Sequence, residues 1–244
     1  MSRIFRDSAV LRSVAGEPVD QRNSVPLTAV EPDGPARGGI VILHESRVFS
    51  EPLLALMRSL ALEGWVVVAP HLFHREPAPS STEVFGDSLF ADFDATFDWL
   101  MARGIYADCV GVLGFDDAGT AALLVATTRP VGAAVSVAAR GIVQSLSDEA
   151  PALIDAAPDL QAPWLGLYGE DDPSTPPEHV AMLREAVGKA SVAALVVSYA
   201  GLAHRADEPP EMPGEGIEDT NAPNAESIVD AQTRIFDWFD SNLR

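Results

Sequence analysis

Cysteine and lysine are almost absent from this sequence of 244 residues, in which Cys109 and Lys189 stand alone. A single cysteine excludes an intramolecular disulfide and is compatible with a reducing cytoplasm. Long apolar runs are also missing, because glycine, proline or charged residues interrupt each one before it could span a bilayer. The first residues, MSRIFRDSAVLRS, lack the apolar core and cleavage pattern of a secretory signal. We therefore expect a cytoplasmic protein.

Positive charge is scarce as well. The chain has 16 arginine and lysine residues against 36 aspartate and glutamate residues, which gives a formal net charge of −20. A field of this sign repels phosphate backbones and anionic lipid headgroups. The composition therefore predicts that neither nucleic acid nor a membrane surface is a partner, and it leaves the oligomeric state open.

From about residue 38 onward, short β-branched runs alternate with longer segments of helical periodicity. This alternation is typical of a mostly parallel sheet with helices on both faces. The length suits one α/β domain over residues 1–244. The predicted strands are Gly39–Leu43, Trp65–Ala69, Cys109–Leu113, Gly132–Ala138, Trp164–Tyr168 and Ala194–Tyr199. The predicted helices are Pro52–Glu63, Asp87–Arg103, Thr120–Thr128, Pro177–Val187 and Ala225–Leu243.

Two stretches depart from this alternation. Residues 1–37 are polar and predict an antiparallel edge hairpin around Val25 to Val30. Residues 207–224 are acidic and rich in proline and glycine, which predicts a mobile loop that would act either as a lid or as a solvated segment. Cys109, at the start of its strand, is expected to be a buried core residue.

Polar residues cluster where the predicted strands end. In an open parallel sheet, ligands bind beyond the carboxyl ends of the strands. The residues at these ends are His44, Glu45, His71, His74, Asp116, Asp117, Asp171, Asp172 and His204. Four of the five histidines are in this group, which predicts a functional site along this edge of the sheet.

The segment GFDDAG at 114–119 lies between a predicted strand and a predicted helix. A strand, a G-x-nucleophile-x-G turn and a helix form a nucleophile elbow, whose apex side chain is exposed. Gly114 and Ala118 satisfy the demand for small residues around Asp116, and the following amide, on Asp117, can stabilise an oxyanion. An apex at Asp117 would instead put Phe115 in a small-residue position. Asp172 and His204 follow in the chain order of nucleophile, acid and histidine.

Five segments resemble the dienelactone hydrolase family, and the likeness extends from about residue 38 to the C-terminus. They are ILHES at 42–46, GWVVVAPHLF at 64–73, VGVLGFDDAG at 110–119, GEDDPSTPPEHV at 169–180 and SYAGLAH at 198–204. The resemblance implies an α/β-hydrolase fold without a large cap domain and a triad of Asp116, Asp172 and His204. It also implies a glutamate, Glu45, beside the nucleophile and an oxyanion hole made by the amides of Ser46 and Asp117.

The apex residue departs from the family pattern, in which a cysteine attacks an ester carbonyl. Aspartate in the same role would form a high-energy mixed anhydride. Aspartate is an effective nucleophile toward saturated carbon, as in haloalkane dehalogenases and epoxide hydrolases, where histidine then activates water to cleave the alkyl ester. The sequence therefore predicts a hydrolase of small organic substrates, either esters and lactones or epoxides and alkyl halides. The alternative is a member that has lost catalysis and binds a small ligand or partner in the same cleft.

Several other residues near these strand ends are weaker candidates. Those considered for substrate binding are His71, His74, Arg75, Phe115 and Arg205. Glu45, Asp116, His71, His74 and His204 could instead converge on a divalent metal. The simpler interpretation has both loop histidines facing solvent, and we predict neither a metal nor a cofactor. A buried Glu45 close to Asp116 should raise the pKa of one carboxyl of the pair.

Overall fold

The computed structural model describes residues 3–11, 24–45, 48–75, 87–148, 150–205 and 222–243. The strands are β1 (Ile4–Val10), β2 (Ser24–Val30), β3 (Gly38–Leu43), β4 (Trp65–Pro70), β5 (Val110–Phe115), β6 (Ala133–Val137), β7 (Trp164–Gly169) and β8 (Ala194–Tyr199). The helices are α1 (Glu51–Leu62), α2 (Asp87–Met101), α3 (Asp116–Thr128), α4 (Leu153–Ala156), α5 (Pro177–Val187) and α6 (Ala222–Asn242).

The eight strands form one sheet in the order β1-β2-β4-β3-β5-β6-β7-β8. Strands β3 to β8 pair with one another in parallel, and β2 joins β4 in the antiparallel direction. The antiparallel β1–β2 pair completes the edge, with Ile4 opposite Val30. The prediction of a mostly parallel sheet is therefore confirmed.

Helices cover both faces of the sheet. Residues of α1 and α6, such as Met57 and Ile235, pack with one set of strand side chains in the first core. Helices α2 to α5 pack with the opposite set, for example through Phe93 and Leu123. Because the central strands are buried on both faces, their sequences are continuous apolar runs rather than alternating ones. This explains why GIVIL and WVVVA are recognisable as strands from the sequence.

Every helix of the described residues contributes to one of these two cores, and none of them builds a cap domain over the carboxyl ends of the strands. None of these helices is both long and apolar enough to cross a membrane. Among the described residues, no helix therefore covers the carboxyl ends of the strands.

Two helices, α3 and α6, start more than one residue before the position expected from the sequence. Helix α3 begins at Asp116 rather than at Thr120, because the elbow leads directly into the helix and carboxylates are favourable in a first turn. Helix α6 begins at Ala222, so the last three residues of the predicted 207–224 loop are helical. A proline in a first turn is tolerated, since its missing N–H would have no intrahelical acceptor. Residues 207–221 of that loop lie outside the described ranges.

Cys109 is not a buried core residue as predicted. It ends a single 3₁₀ turn, Ala107–Cys109, immediately before β5, and its side chain is only partly buried. Its Sγ lies 3.6 Å from Asp108 Oδ1. Strand pairing starts one residue later, at Val110, and therefore the cysteine remains at the rim of the core.

Candidate active site

Asp116 occupies the apex of a sharp turn between β5 and α3. Its φ angle is +55°, a left-handed conformation that non-glycine residues seldom adopt and that is frequent at functional sites. A Cβ on Gly114 would lie 2.1 Å from the carbonyl oxygen of Ala118. The turn therefore requires glycine two residues before the apex, as expected for a nucleophile elbow.

The imidazole of His204 lies between two carboxylates. Its Nδ1 is 2.8 Å from Asp172 Oδ2, and its Nε2 is 2.9 Å from Asp116 Oδ1. Asp172 is 3% exposed, and its other oxygen accepts a hydrogen bond of 2.7 Å from the backbone N–H of Ser174. The aspartate after β7 is thus fixed, and it can in turn fix the ring orientation of a histidine contributed by the loop after β8.

These three side chains open into a cavity of about 420 Å³. Its lining residues are Glu45, Asp116, Arg140, Asp172, Pro173, Ser174, Ala203 and His204. Among the described residues, no three histidine, cysteine, aspartate or glutamate side chains are arranged to hold a metal ion. The residues that line the cavity present carboxylates, an imidazole and a guanidinium to a ligand.

Glu45 follows β3 and faces the elbow. Its Oε1 accepts a hydrogen bond of 2.5 Å from the backbone N–H of Asp117. Burial raises the pKa of Glu45, and the carboxylates of Asp117 and Asp116 raise it further. In this structure the Glu45 carboxylate thus accepts from the backbone N–H of Asp117, which the sequence predicted to be part of an oxyanion hole. Ser46, which was expected to supply the second amide, lies outside the described residues.

Arg140 is a residue of the site that was not predicted from the sequence. Its Nε lies 2.7 Å from Asp117 Oδ1, and its Nη2 lies 3.4 Å from Glu45 Oε1. Burial raises the pKa of the Asp117 carboxyl, and Arg140 opposes that rise. The residue follows the end of β6, at the same edge of the sheet as Asp116. A signal for it is present in the sequence, since it is a charged residue two positions after the predicted strand Gly132–Ala138.

Phe115 and Arg205, two of the candidates for substrate binding, adjoin the elbow. The guanidinium of Arg205 lies 4.1 Å from the centre of the Phe115 ring, and its Nη1 is 3.7 Å from Asp116 Oδ2. Both residues also line a second cavity of about 680 Å³ between α1 and α6. The structure therefore brings these candidates together with the nucleophile position.

His71, His74 and Arg75 lie elsewhere. The ring nitrogen Nε2 of His71 is 2.9 Å from Thr28 Oγ1. His74 and Arg75 both contact Asp92, a fully buried carboxylate on α2, at 3.3 Å and 2.5 Å. These contacts tie the segment after β4 to its neighbours, and neither histidine lines the Asp116 cavity. The substrate-binding role of the three residues remains a prediction from the sequence.

A sheet of this strand order, with helices on both faces and an elbow turn after β5, defines the α/β-hydrolase fold. The model of the dienelactone hydrolase family matches residues 26–243. The chain therefore belongs to the dienelactone hydrolase family, and it is a hydrolase of the α/β-hydrolase superfamily.

Known relatives are similar over most of their length. A protein of Salmonella typhimurium named "Putative carboxymethylenebutenolidase" is 30% identical over 82% of this chain and 76% of its own. A crystal structure from Klebsiella pneumoniae, described as a "Putative Dienelactone Hydrolase", is 26% identical over 98% of this chain and 99% of its own, with a TM-score of 0.72. The dienelactone hydrolase from Anabaena variabilis shares the fold at 21% identity, covering 100% of this chain and 99% of its own, with a TM-score of 0.67.

The Glu45 carboxyl should make stability depend on pH. Its raised pKa, above the ordinary 4.5, means that the folded protein holds this proton more tightly than the unfolded chain. The resulting stabilisation is complete below the unfolded-state pKa and is lost as the pH rises through the folded-state pKa. We therefore expect Glu45→Gln to increase the free energy of unfolding by roughly 0.5–2 kcal/mol near neutral pH, and by less in mild acid.

Urea unfolding of both proteins across this pH range measures the difference. Glutamine retains an oxygen that can accept from the Asp117 N–H, so the comparison isolates the charge. Glu185→Gln is the matched control, because Glu185 is an exposed carboxylate on α5. A variant that is less stable than the wild type near neutral pH would show that the Glu45 charge is net stabilising.

Proposed function

We propose that this protein is a cytoplasmic hydrolase that acts on a small organic substrate through a covalent intermediate on Asp116. His204 activates water, Asp172 orients the imidazole, and Glu45 tunes the charge beside the nucleophile. The observation that carries the proposal is the position of the His204 ring, within 2.9 Å of Asp116 and 2.8 Å of Asp172. An apex carboxylate, an imidazole and a buried orienting carboxylate form a nucleophile–base–acid set.

The proposed reaction has two steps. A carboxylate oxygen of Asp116 attacks the substrate, and the electron pair of the broken bond leaves with an oxygen or a halide. His204 then removes a proton from water as that water attacks the carbonyl carbon of the intermediate. The tetrahedral species collapses, the departing oxygen takes the proton from His204, and the Asp116 carboxylate is restored. His204 carries one proton of this water, and the second leaves the restored Asp116 carboxyl for solvent. An alkoxide released in the first step takes a proton from solvent and a halide leaves without one, so that the overall reaction consumes only water.

Two substrate classes fit this scheme. The names of the relatives support a lactone or an ester. The carboxylate at the apex favours an electrophilic saturated carbon, as in an epoxide or an alkyl halide, because the intermediate is then an ordinary ester rather than an anhydride. The classes differ in the intermediate, and a trapping experiment separates them.

Replacing His204 should trap the intermediate. We expect His204→Gln to lower kcat by about 10³–10⁴-fold, because water then lacks its base while Asp116 can still attack. Incubation with styrene oxide, 1-bromohexane or dihydrocoumarin, followed by intact-mass analysis and peptide mapping, should reveal an adduct on Asp116. An adduct with the oxide or bromide alone assigns saturated carbon, and one with dihydrocoumarin alone assigns the lactone class.

His179→Gln serves as the matched control, since His179 lies on α5 and does not line the cavity. The double variant His204→Gln/Asp116→Asn should give no adduct. Turnover without any adduct on Asp116 would refute the covalent mechanism. Stoichiometric binding of these compounds by the wild type without turnover would support the non-catalytic alternative.

A further inference from the structure

The position of Glu45 Oε1 marks a place where this cavity holds a carboxyl oxygen that accepts hydrogen bonds. Two donors point to it: the backbone N–H of Asp117 at 2.5 Å and the Nη2 of Arg140 at 3.4 Å. The first donor belongs to the residue after the nucleophile, where an oxyanion is stabilised in this fold. The second is a charged side chain that lines the same cavity. A carboxylate of the protein itself thus occupies a site with two donors.

We infer that Arg140 is a further catalytic residue, which donates together with the Asp117 amide to the negative oxygen of the tetrahedral intermediate. The inference rests on the proposed function, because that oxygen forms when water adds to the intermediate on Asp116. The water oxygen bonds to the carbonyl carbon, and its proton passes to His204. The carbonyl π electrons move to the carbonyl oxygen. This negative oxygen then takes the place of Glu45 Oε1 between the two donors.

Asp117 acts as the positioning residue for Arg140. Its Oδ1 lies 2.7 Å from Arg140 Nε, and Nη2 of the same guanidinium lies 3.4 Å from Glu45 Oε1. The backbone N–H of Asp117 thus donates to the anion site, and its side chain positions Arg140, the second donor. This arrangement gives a reason for the second aspartate of the DD pair, which the sequence analysis left as a source of backbone amide only.

A guanidinium is suited to this role for two reasons. Arginine side chains stay charged in proteins, and the planar fork can contact two groups at once. Lysine in the same place would keep the charge but could not hold Asp117 and the anion together. Removing a single donor of this kind, aimed at developing charge, lowers the rate by about 10²–10³-fold.

The test separates formation of the adduct from its hydrolysis. Rapid-quench mass spectrometry with styrene oxide or dihydrocoumarin follows the Asp116 adduct in the wild type and in Arg140→Met. We expect adduct hydrolysis to slow by about 10²-fold or more, so that the adduct accumulates in the variant. With styrene oxide its formation should change by less than about 10-fold, since no oxyanion forms on Asp116 in that step.

Three further variants make the result specific. Arg140→Lys should recover part of the hydrolysis rate, and Asp117→Asn should slow hydrolysis by about 10-fold because its amide N–H is kept. If Arg140→Met does not fold, Arg140→Gln replaces it in the same assay. Arg129→Met is the matched control, since Arg129 pairs with Asp94 at the far end of α3, away from the cavity.

Adduct hydrolysis at the wild-type rate in a folded Arg140 variant would overturn the inference and leave the covalent mechanism in place. A raised KM with unchanged hydrolysis would also overturn it, because Arg140 would then bind the substrate in its ground state only. Failure of the covalent mechanism gives a different result, in which no adduct forms in any variant, including His204→Gln.

Discussion

Replacing Asp116 by asparagine is expected to lower kcat by at least about 10⁴-fold, because the amide cannot act as the nucleophile. Asparagine is among the non-glycine residues that best tolerate a positive φ, and the observed φ is +55°. The substitution should therefore preserve the elbow while removing the attacking carboxylate. Steady-state kinetics on styrene oxide and dihydrocoumarin, with circular dichroism as a check on folding, measure the effect.

The matched control for this substitution is Asp171→Asn. Asp171 is exposed, immediately precedes the buried Asp172 and is not among the residues that line the cavity. The same chemical change at this position should leave kcat within about twofold of the wild type. If Asp116→Asn keeps more than a tenth of the wild-type kcat, His204 must activate water for direct attack on the substrate, and Asp116 is not the nucleophile.

Replacing Gly114 by alanine is expected to destabilise the protein by at least about 3 kcal/mol. The new Cβ would lie 2.1 Å from the Ala118 carbonyl oxygen and 2.9 Å from the Gly119 nitrogen, both of which are backbone atoms. Because neither atom can rotate away, the start of α3 has to shift relative to β5. Any variant that folds should also lose activity, since Asp116 moves with the turn and a displacement of about 1 Å can cost 10²-fold in rate.

Gly34→Ala is the matched control, since no atom lies within 4 Å of the position that a Cβ on Gly34 would take. Urea denaturation of the two variants and the wild type gives the comparison. We expect a large decrease in the unfolding midpoint for Gly114→Ala and a change of less than about 0.5 kcal/mol for Gly34→Ala. Equal stability of the two variants would mean that the elbow is looser than the structure indicates.

The elbow and its partners could be located from the sequence because each has a local signature. The strands that precede Asp116 and Asp172 are buried on both faces, whereas β8, which precedes His204, is partly exposed. All three are recognisable in the sequence as short apolar runs. Asp116 is identified by the small residues around it. Asp172 and His204 are identified by their positions after β7 and β8. These signals depend on backbone sterics and burial, which act over a few residues.

The contacts between loops have no such local signature in the sequence. Arg140 is not part of any of the motifs described above. Its contact partners Asp117 and Glu45 lie 23 and 95 residues before it in the chain. His71 and His74 follow β4 at the same edge as the active site, yet their side chains contact Thr28 and the buried Asp92. Position at a strand end places a residue at the correct edge of the sheet, but the direction of its side chain depends on what packs beside it.

By itself, the amino-acid sequence determined the parallel sheet, the sharp turn at Asp116 and the chain order of Asp116, Asp172 and His204, because these follow from hydrophobic burial and local sterics along the chain. Only the tertiary structure decided which strand-end residues share the cavity, that Glu45 occupies the Asp117 amide and that Arg140 bridges the two carboxylates. The physical reason is that hydrogen bonds and charge pairs act over a few ångströms in space, and residues distant in the chain meet at such distances only after the sheet has formed.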